Sequence, residues 1–255
     1  MLHQVIQLRT AVPMPYPEAY APPAQVMALT PRCAHCSLRP LCLAAGLDDD
    51  DLPRLESVIG QWRMVHRGDY LFRVGDRFQC LYTLRTGSFK TVAGHEEGVE
   101  HVTAYLLPGD MLGLGAISGE HYDCDAVALE DSTVCVIPFP PLELLCRDMR
   151  GVQRQLHKLL SQEIVRESRQ TTLLSGMPSE RRVAAFLLNV SRRLRARGYA
   201  AHAFTLRMTR EEIGSYLGIK LETVSRTFSR FQREGLIRVD GKQIEIFDLD
   251  ALAQV

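Results

Sequence analysis

Residues 208–239 read MTREEIGSYLGIKLETVSRTFSRFQREGLIRV, which predicts two short helices joined by a tight turn. Thr209 is a good helix N-cap, and Glu212, three residues later, completes a capping box. Gly218 supplies the turn, and an amphipathic second helix is predicted over residues 221–234. A helix, a glycine-containing turn and a second helix are typical of the helix-turn-helix, whose second helix enters the major groove of DNA.

The exposed face of the second helix carries side chains that suit this use. Arg226 can donate two hydrogen bonds to a guanine, and Glu222, four residues earlier on the same face, can accept one from a cytosine. Thr223 and Ser225 suit phosphate or base-edge contacts. The alternative is a solvated helix in which Glu222 and Arg226 pair only with each other. The predicted DNA-contacting residues are Thr209, Arg210, Glu222, Thr223, Ser225 and Arg226.

The distribution of charge favours the DNA-binding interpretation. Residues 175–239 contain 13 Lys or Arg against 5 Asp or Glu, an excess of eight positive charges in a chain whose formal net charge is zero. Such a basic segment is the electrostatic signature of nucleic-acid binding. No apolar run is long enough to cross a bilayer, and the Pro-rich start of the chain lacks the apolar core of a signal peptide. We therefore expect a cytoplasmic protein, in a compartment where thiols stay reduced.

Seven cysteines, an odd number, argue against a disulfide scaffold and indicate metal or redox use. Cys33, Cys36 and Cys42 form a C-x2-C-x5-C pattern. A structural zinc site usually takes two cysteine pairs, and the sequence has no second C-x-x-C. A thioredoxin-type redox pair needs a strand before Cys33, and no apolar segment is there to form it. An iron–sulfur cluster needs four thiolates, and its fourth ligand can lie far along the chain. The candidates for that fourth ligand are Cys80, Cys124, Cys135 and Cys146.

The sequence pattern in the middle of the chain changes twice, first to strands and then to helix. Residues 62–138 form short strands punctuated by glycine, which predict a β-sandwich or barrel that encloses a ligand or carries a sensing surface. After Pro140 and Pro141 the pattern becomes helical and stays so to about Leu174. One stripe of that helix has the alternating 4,3 spacing of a heptad seam but only three apolar members. It predicts a dimer interface that forms under some conditions only, and a plain interdomain helix is the alternative. The seam consists of Gln153, His157, Leu160, Ile164, Glu167, Thr171 and Leu174.

Three apolar residues of this helix, Leu156, Leu159 and Val165, lie off the seam and are expected to pack on the chain's own roll. A further helix is predicted over residues 177–197. After the helix-turn-helix, residues 236–239 and 243–247 alternate in polarity across a short turn and predict the hairpin of a winged helix. The predicted fold is α+β with five parts. These are a flexible Pro-rich arm (1–29), a cysteine loop (30–46), a β-roll (47–140), a dimerisation helix (141–176) and a winged-helix domain (177–255).

A roll, a long helix and a winged helix in this order resemble the CRP/FNR superfamily of bacterial transcription regulators. The cysteine loop resembles that of the FNR branch, the oxygen-responsive regulators that carry a [4Fe–4S] cluster. Further similar segments are residues 132–139, residues 209–218 and the phrase ETVSR at residues 222–226. The resemblance implies that Cys33, Cys36, Cys42 and Cys135 hold such a cluster, and that the three remaining cysteines are ordinary small residues.

The resemblance also implies how the protein finds and reads DNA. A homodimer would bind two TTGAT half-sites in inverted repeat about one helical turn apart, with Glu222 and Arg226 reading the G·C pair. Glu167 falls where the FNR branch has an aspartate that opposes dimerisation. The implied dimerisation residues are Leu160, Ile164, Glu167, Thr171 and Leu174. The loop over residues 94–100 resembles a region through which family members contact RNA polymerase.

Two departures separate the chain from the cyclic-nucleotide branch. Asp123 and Cys124 replace the Arg-Ser pair that holds the nucleotide phosphate there, so no cyclic nucleotide is expected to bind. Leu221 replaces an arginine of the recognition helix. The implied function is an oxygen-controlled regulator whose cluster governs dimerisation. A winged-helix regulator with a zinc-bound or metal-free sensor stays open as an alternative. A thiol oxidoreductase is disfavoured because no strand–C-x-x-C–helix segment or catalytic constellation is present, so no enzyme activity is expected.

Overall fold

The computed structural model describes residues 26–27, 32–94 and 100–255. Most of the predicted Pro-rich arm lies outside these residues, as do residues 95–99 of the loop predicted to touch RNA polymerase. The arm is not without structure throughout, because Val26–Met27 forms strand β1 and pairs with the strand that contains Trp62. The backbone hydrogen bonds of a sheet edge can recruit so short a segment without any pattern in its side chains.

The β-roll is built from two antiparallel sheets. The first has the strand order β1-β2-β9-β4-β7 and the second the order β3-β8-β5-β6. Their bounds are β2 Gln61–Val65, β3 Tyr70–Phe72, β4 Cys80–Thr86, β5 Phe89–Gly94, β6 Glu100–Leu106, β7 Met111–Leu112, β8 Asp125–Ala128 and β9 Ser132–Pro138. The prediction of a sandwich over residues 62–138 is confirmed.

The two faces of β9 serve two different cores, because successive side chains of a strand point to opposite faces. Val134 and Val136 point into the roll. Cys135 and Ile137 point outward, into a second apolar cluster formed by the cysteine loop and the neighbouring helices. This alternation places a thiol of the roll beneath the loop that carries the other three candidate ligands.

Seven helices are present in the described residues. They are α1 Leu52–Val58, α2 Phe139–Asp148, α3 Arg150–Gly176, α4 Ser179–Arg195, α5 Arg210–Leu217, α6 Leu221–Arg233 and α7 Leu249–Ala253. None of them is both long and apolar enough to cross a bilayer.

The prediction of one continuous helix after Pro141 is wrong, because the chain forms two helices there, α2 and α3. Met149 between them is extended (φ −119°, ψ 96°) and buried. The break buries Met149 and lets α3 start beside the cysteine loop, where Gly151 lies close to Leu47. Leu156 and Leu159 pack inward as expected. Val165 does not, since it is 45% exposed.

The DNA-binding domain follows the prediction closely. Thr209 and Glu212 form the predicted capping box at the start of α5, and Gly218 turns the chain with a φ of 61°. The wing consists of β11 Ile237–Asp240 and β12 Gln243–Ile246. A third strand, β10 (Ala203–Thr205), extends this sheet in the order β10-β12-β11. Neither β10 nor α7 was expected, because three and five residues are too few to show a period.

The DNA-binding domain packs against the roll through a shared apolar cluster. Tyr105 and Leu107 of the roll lie in one cluster with Phe186 of α4 and Ile213 of α5. Polar contacts reinforce this interface: Lys90 pairs with Glu212 at 2.8 Å, and Val102 N donates to the Ser215 hydroxyl at 2.9 Å. The roll also keeps a core of its own, so the shared cluster lies at the boundary between the two domains.

Candidate nucleic-acid interface and thiol site

The recognition face belongs to α6. Its inner side buries Val224, Phe228 and Phe231, which leaves Glu222 and Arg226 exposed. In the part of the chain that the structure describes, these two residues form no ion pair with each other; Arg226 instead lies 3.4 Å from the Thr223 hydroxyl. Both charged groups are therefore exposed on α6, and their contact with base edges stays a prediction.

Two other residues that were predicted to contact DNA already make contacts within the domain. The Thr209 hydroxyl accepts a hydrogen bond from Glu212 N at 3.1 Å, so it caps α5. The Arg210 guanidinium stacks 3.6 Å above the Phe228 ring, and burial lowers its pKa. Ser225 is half-buried. Ser229 was missed by the sequence analysis although it is exposed at the i+7 position from Glu222, which the helical period could have indicated.

The cysteine loop is held in shape by its own backbone and by two charged side chains. Cys33 opens one 3-10 turn, and a second turn, Arg39–Leu41, leads into Cys42. Arg39 fixes the loop by donating to Leu47 O at 2.6 Å and to Asp49 at 2.8 Å. Glu56 of α1 accepts hydrogen bonds from the backbone N–H groups of Cys33 and Ala34.

The loop touches both the roll and α3. Leu41 packs on Gly109, whose φ of 94° and missing side chain allow the approach, since a Cβ there would lie 3.0 Å from the Leu41 Cβ. On the other side, Gln155 Nε2 of α3 donates to Cys42 O at 3.0 Å. A change in the position of the loop therefore acts directly on the start of the long helix.

Cys33, Cys36, Cys42 and Cys135 lie close together, because the charges of their neighbours in this group contribute to the pKa values of Cys33, Cys42 and Cys135. Burial raises the pKa of Cys33 to about 12, and Cys42, Glu56, Cys135 and Cys36 add to the rise. Burial also raises the pKa of Cys135 to about 12, with contributions from Cys42 and Cys36. The charge of Arg85 and the indole N–H of Trp62 act on Cys135 in the opposite direction. The thiols of Cys33 and Cys135 are therefore costly to ionise, and a bound cationic group would offset that cost.

The nature of that group is limited by geometry and by the donors around it. Among the described side chains, no three of the His, Cys, Asp or Glu type are placed to hold a single metal ion. His35 is exposed at the surface of the loop. Two buried donors, Trp62 Nε1 and Thr83 Oγ1, lack hydrogen-bond partners in the described structure, and both flank Cys135. Four neighbouring cysteines with buried donors beside one of them would fit an iron–sulfur cluster, which is wider than one ion and carries sulfurs that accept hydrogen bonds.

Two of the remaining cysteines belong to the core of the roll, whereas Cys146 lies in the apolar cluster that also contains Cys33 and Cys135. No cysteine of the described chain forms a disulfide. Cys80 is on the face of β4 that points into the roll, Cys124 packs beside the same core, and Cys146 is buried in α2. That these three cysteines are ordinary small residues stays a prediction.

Comparison with known proteins identifies the family. A Crp-like helix-turn-helix domain matches residues 181–255, and a cyclic nucleotide-binding domain matches residues 62–148. The chain is 42% identical to the transcriptional activator protein anr of Pseudomonas aeruginosa over 216 residues, which cover 85% of this chain and 88% of that protein. It is 40% identical to the fumarate and nitrate reduction regulatory protein of Escherichia coli K12, covering 88% and 89% of the two chains. The chain belongs to the CRP/FNR family of transcription regulators.

The solved structures agree with this assignment. FixK2 from Bradyrhizobium japonicum superimposes with a TM-score of 0.70 at 28% identity, covering 76% of this chain and 95% of that one. The resemblance stated from the sequence is confirmed for the family and for its order of roll, long helix and helix-turn-helix domain. The helix-turn-helix match supports DNA binding by α6.

The seam predicted for CRP/FNR dimerisation is open in the single chain. Ile164 is 67% exposed and Leu174 36% exposed, whereas Leu160 is half-buried. Glu167 and Thr171 are exposed, and the Thr171 hydroxyl bonds back to Glu167 O at 3.1 Å. An apolar residue as exposed as Ile164, in the middle of a long helix, leaves room for a second copy of the helix to pack.

The roll keeps the cavity of its domain class but with altered chemistry. A cavity of about 230 Å³ lies between the second sheet and α3, and Asp123 and Cys124 line it. Glu163 and Glu167 add two more carboxylates, and Arg166 is a cation at the same wall. A phosphate in this cavity would face three acids.

Proposed function

We propose that the protein is an oxygen-responsive transcription activator that binds double-stranded DNA as a homodimer. A [4Fe–4S] cluster on Cys33, Cys36, Cys42 and Cys135 senses oxygen, and inverted repeats of TTGAT-type half-sites are the targets. The names of its relatives support this: anr is named a transcriptional activator, and a Pasteurella multocida protein, 40% identical over 88% of this chain, is named an anaerobic regulatory protein.

One observation carries the proposal. The loop with three of the cysteines lies against the fourth on β9, and the carbonyl of its last cysteine is hydrogen-bonded to Gln155 of α3 at 3.0 Å. When bound, the cluster supplies an oxygen-labile bridge between the loop and the roll. The Gln155 hydrogen bond and the Leu47–Gly151 contact then make the position of α3 depend on the position of the loop.

The position of α3 in turn governs dimerisation, because the seam of α3 forms the contact between subunits. Leu160, Ile164 and Leu174 provide the apolar contacts between two subunits, and Thr171 packs between them. Two Glu167 carboxylates brought face to face oppose association, because like charges near an apolar seam are costly. Dimerisation therefore depends on the support that the cysteine loop gives to the start of α3.

The DNA end uses the exposed face of α6. Glu222 and Arg226 read a G·C pair, Thr223 and Ser225 contact neighbouring groups, and Thr209 and Arg210 contact the backbone at the start of α5. A dimer presents two such faces, so its operator is an inverted repeat with half-sites about one helical turn apart. The loop over residues 94–100 contacts RNA polymerase in this proposal.

Neither cyclic-nucleotide binding nor enzyme activity is part of the proposed function. Asp123 and the other acids of the roll cavity disfavour a cyclic nucleotide, because its phosphate would be repelled. The thiols serve sensing and not turnover, so no enzyme activity is assigned to a chain that works on DNA in the cytoplasm.

The test is the composition and colour of protein purified without air. The proposal expects about four iron and four sulfide per subunit, by the definition of the cluster, and visible absorption that fades in oxygen. Cys135→Ala should abolish that absorption, and Cys146→Ala, which removes a buried thiol of α2, should retain it. Zinc without iron or sulfide would instead favour a zinc-braced sensor and refute the cluster.

A further inference from the structure

Three side chains form a row across the outer face of the first sheet. Cys135 of β9 lies directly opposite Trp62 of β2 on one side and Thr83 of β4 on the other. Residues directly opposite each other in antiparallel strands project to the same face, with Cβ atoms about 4.5–5.5 Å apart. Both neighbours therefore flank the Cys135 sulfur on the face that the cysteine loop covers.

Each neighbour carries a donor without a partner within hydrogen-bond distance, although the indole N–H of Trp62 is near enough to Cys135 to lower the pKa of its thiol. Within the described residues, Trp62 Nε1 and Thr83 Oγ1 are the two buried side-chain polar atoms without a hydrogen-bond partner. Thr83 as a whole is only 6% exposed. Buried donors are almost always paired in native structures because leaving one unpaired is unfavourable. Both exceptions fall on the two neighbours of one candidate ligand, so a shared acceptor is missing at this place.

Arg85 holds one of these donors in position. It lies in β4 at an irregularity, where the pairing with β9 shifts between Leu84 and Thr86. Its guanidinium carbon lies 3.4 Å from the centre of the Trp62 ring, in a cation–π contact. The stacking fixes the plane of the indole, and the guanidinium brings a positive charge toward a site that collects thiolates.

We propose that Trp62 and Thr83 donate hydrogen bonds to sulfur atoms at the Cys135 corner of the cluster. This inference rests on the proposed function and deepens it. Neither donor has a partner within hydrogen-bond distance in the described chain, so bonds to the cluster stabilise the loaded protein relative to the metal-free one. Hydrogen bonds to the sulfurs are a recognised means by which a protein tunes a cluster. Trp62 and Thr83 are positioning residues and not ligands.

The experiment compares Thr83→Val and Trp62→Phe with the wild-type full-length chain. Valine removes only the hydroxyl, and phenylalanine keeps a ring for Arg85. The matched control is Thr91→Val, because the Thr91 hydroxyl is also in the roll but is bonded to Thr103 at 2.7 Å. Iron release to a chelator is followed by visible absorption without oxygen, and thermal unfolding is followed on metal-free protein.

The inference expects each site variant to release iron about tenfold faster, the effect of one hydrogen bond. Metal-free Thr83→Val should unfold at or above the wild-type temperature, because it removes a hydroxyl that has no partner there. Thr91→Val should unfold at a lower temperature and release iron at the wild-type rate. Trp62 is the chain's one tryptophan, and its fluorescence should be quenched on loading.

Two results would overturn the inference while the cluster itself stands. The first is wild-type iron release by both Thr83→Val and Trp62→Phe. The second is a loss of metal-free stability in Thr83→Val that matches its faster release, which would mean a purely structural role. A wild-type protein that holds no iron–sulfur absorption at all would overturn the proposed function together with this inference.

Discussion

The carboxylate of Asp110 accepts a hydrogen bond from the guanidinium of Arg197 at 2.7 Å, and this contact joins the roll to the DNA-binding domain. Arg193 of α4 binds the same carboxylate, and Arg166 of α3 lies 3.9 Å from it. Arg197 and Arg193 also donate to the backbone carbonyls of Pro108 and Tyr105. One carboxylate therefore gathers cations from the DNA-binding domain and the long helix.

Replacing Asp110 with Asn should destabilise the protein. The substitution leaves three guanidiniums close together without their common anion, and breaking a buried ion pair on one side costs about 3–5 kcal/mol. The free energy of unfolding, measured with denaturant, checks this value. Asp131→Asn is the control, because Asp131 lies at the surface and the side-chain oxygen of the asparagine can still accept a hydrogen bond from Arg67 N. Equal stability of Asp110→Asn and wild type would contradict the importance of this contact.

The same contact predicts a pH dependence. Burial works to raise the pKa of Asp110, but Arg193, Arg197 and Arg166 together outweigh it and hold that pKa below its ordinary value of 3.8. A depressed pKa in the folded state means that the contribution is complete above 3.8 and is lost as pH falls through the folded value. Unfolding free energies of wild type and Asp110→Asn should converge below about pH 4. A constant difference down to pH 2 would contradict this sign.

Replacing Arg226 with Ala should weaken binding to a TTGAT repeat and relax the choice of base. A bidentate contact to guanine discriminates by about 1–3 kcal/mol, so affinity should fall by roughly tenfold to a hundredfold per half-site. Binding to wild-type and base-substituted operators at fixed salt measures both effects. Arg147→Ala, an exposed arginine of α2 paired with Glu143, removes the same charge far from α6 and should bind normally. Uniform weakening on all sequences would mean that Arg226 contacts phosphate only.

Replacing Ile164 with Ala should impair dimerisation. Burying an isoleucine side chain stabilises by about 2 kcal/mol, and two copies meet in the seam, so the dimer should weaken roughly a thousandfold. Sedimentation of anaerobic protein gives the dissociation constant. Val165→Ala is the matched control, since Val165 is also exposed but lies off the seam. If both variants dimerise like the wild type, α3 does not form the interface through this stripe.

Sequence patterns predicted the DNA-binding half well for physical reasons that act locally. The capping box at Thr209, the left-handed glycine at position 218 and the apolar stripe of α6 are each set by residues within one or two helical turns. The family and its order of domains also followed from these segments. Short elements such as β10 carried too little pattern to be seen.

The thiol site was predictable only in part. Spacing placed Cys33, Cys36 and Cys42 in one loop, but four cysteines competed for the fourth position until the resemblance favoured Cys135. The strand register that puts Trp62 and Thr83 beside Cys135 joins segments about 50 and 70 residues apart, and register of that kind is fixed by pairing in three dimensions. The orphaned donors were therefore invisible in the sequence.

In the proposed mechanism, the thiol site controls whether two subunits pair. The most direct test follows sedimentation, visible absorption and operator binding of one anaerobic sample before and during exposure to air. The account predicts a coloured dimer bound to a TTGAT repeat, which loses colour, dimerisation and DNA affinity in parallel. A colourless, iron-free protein that binds the repeat as a dimer before and after air would contradict it.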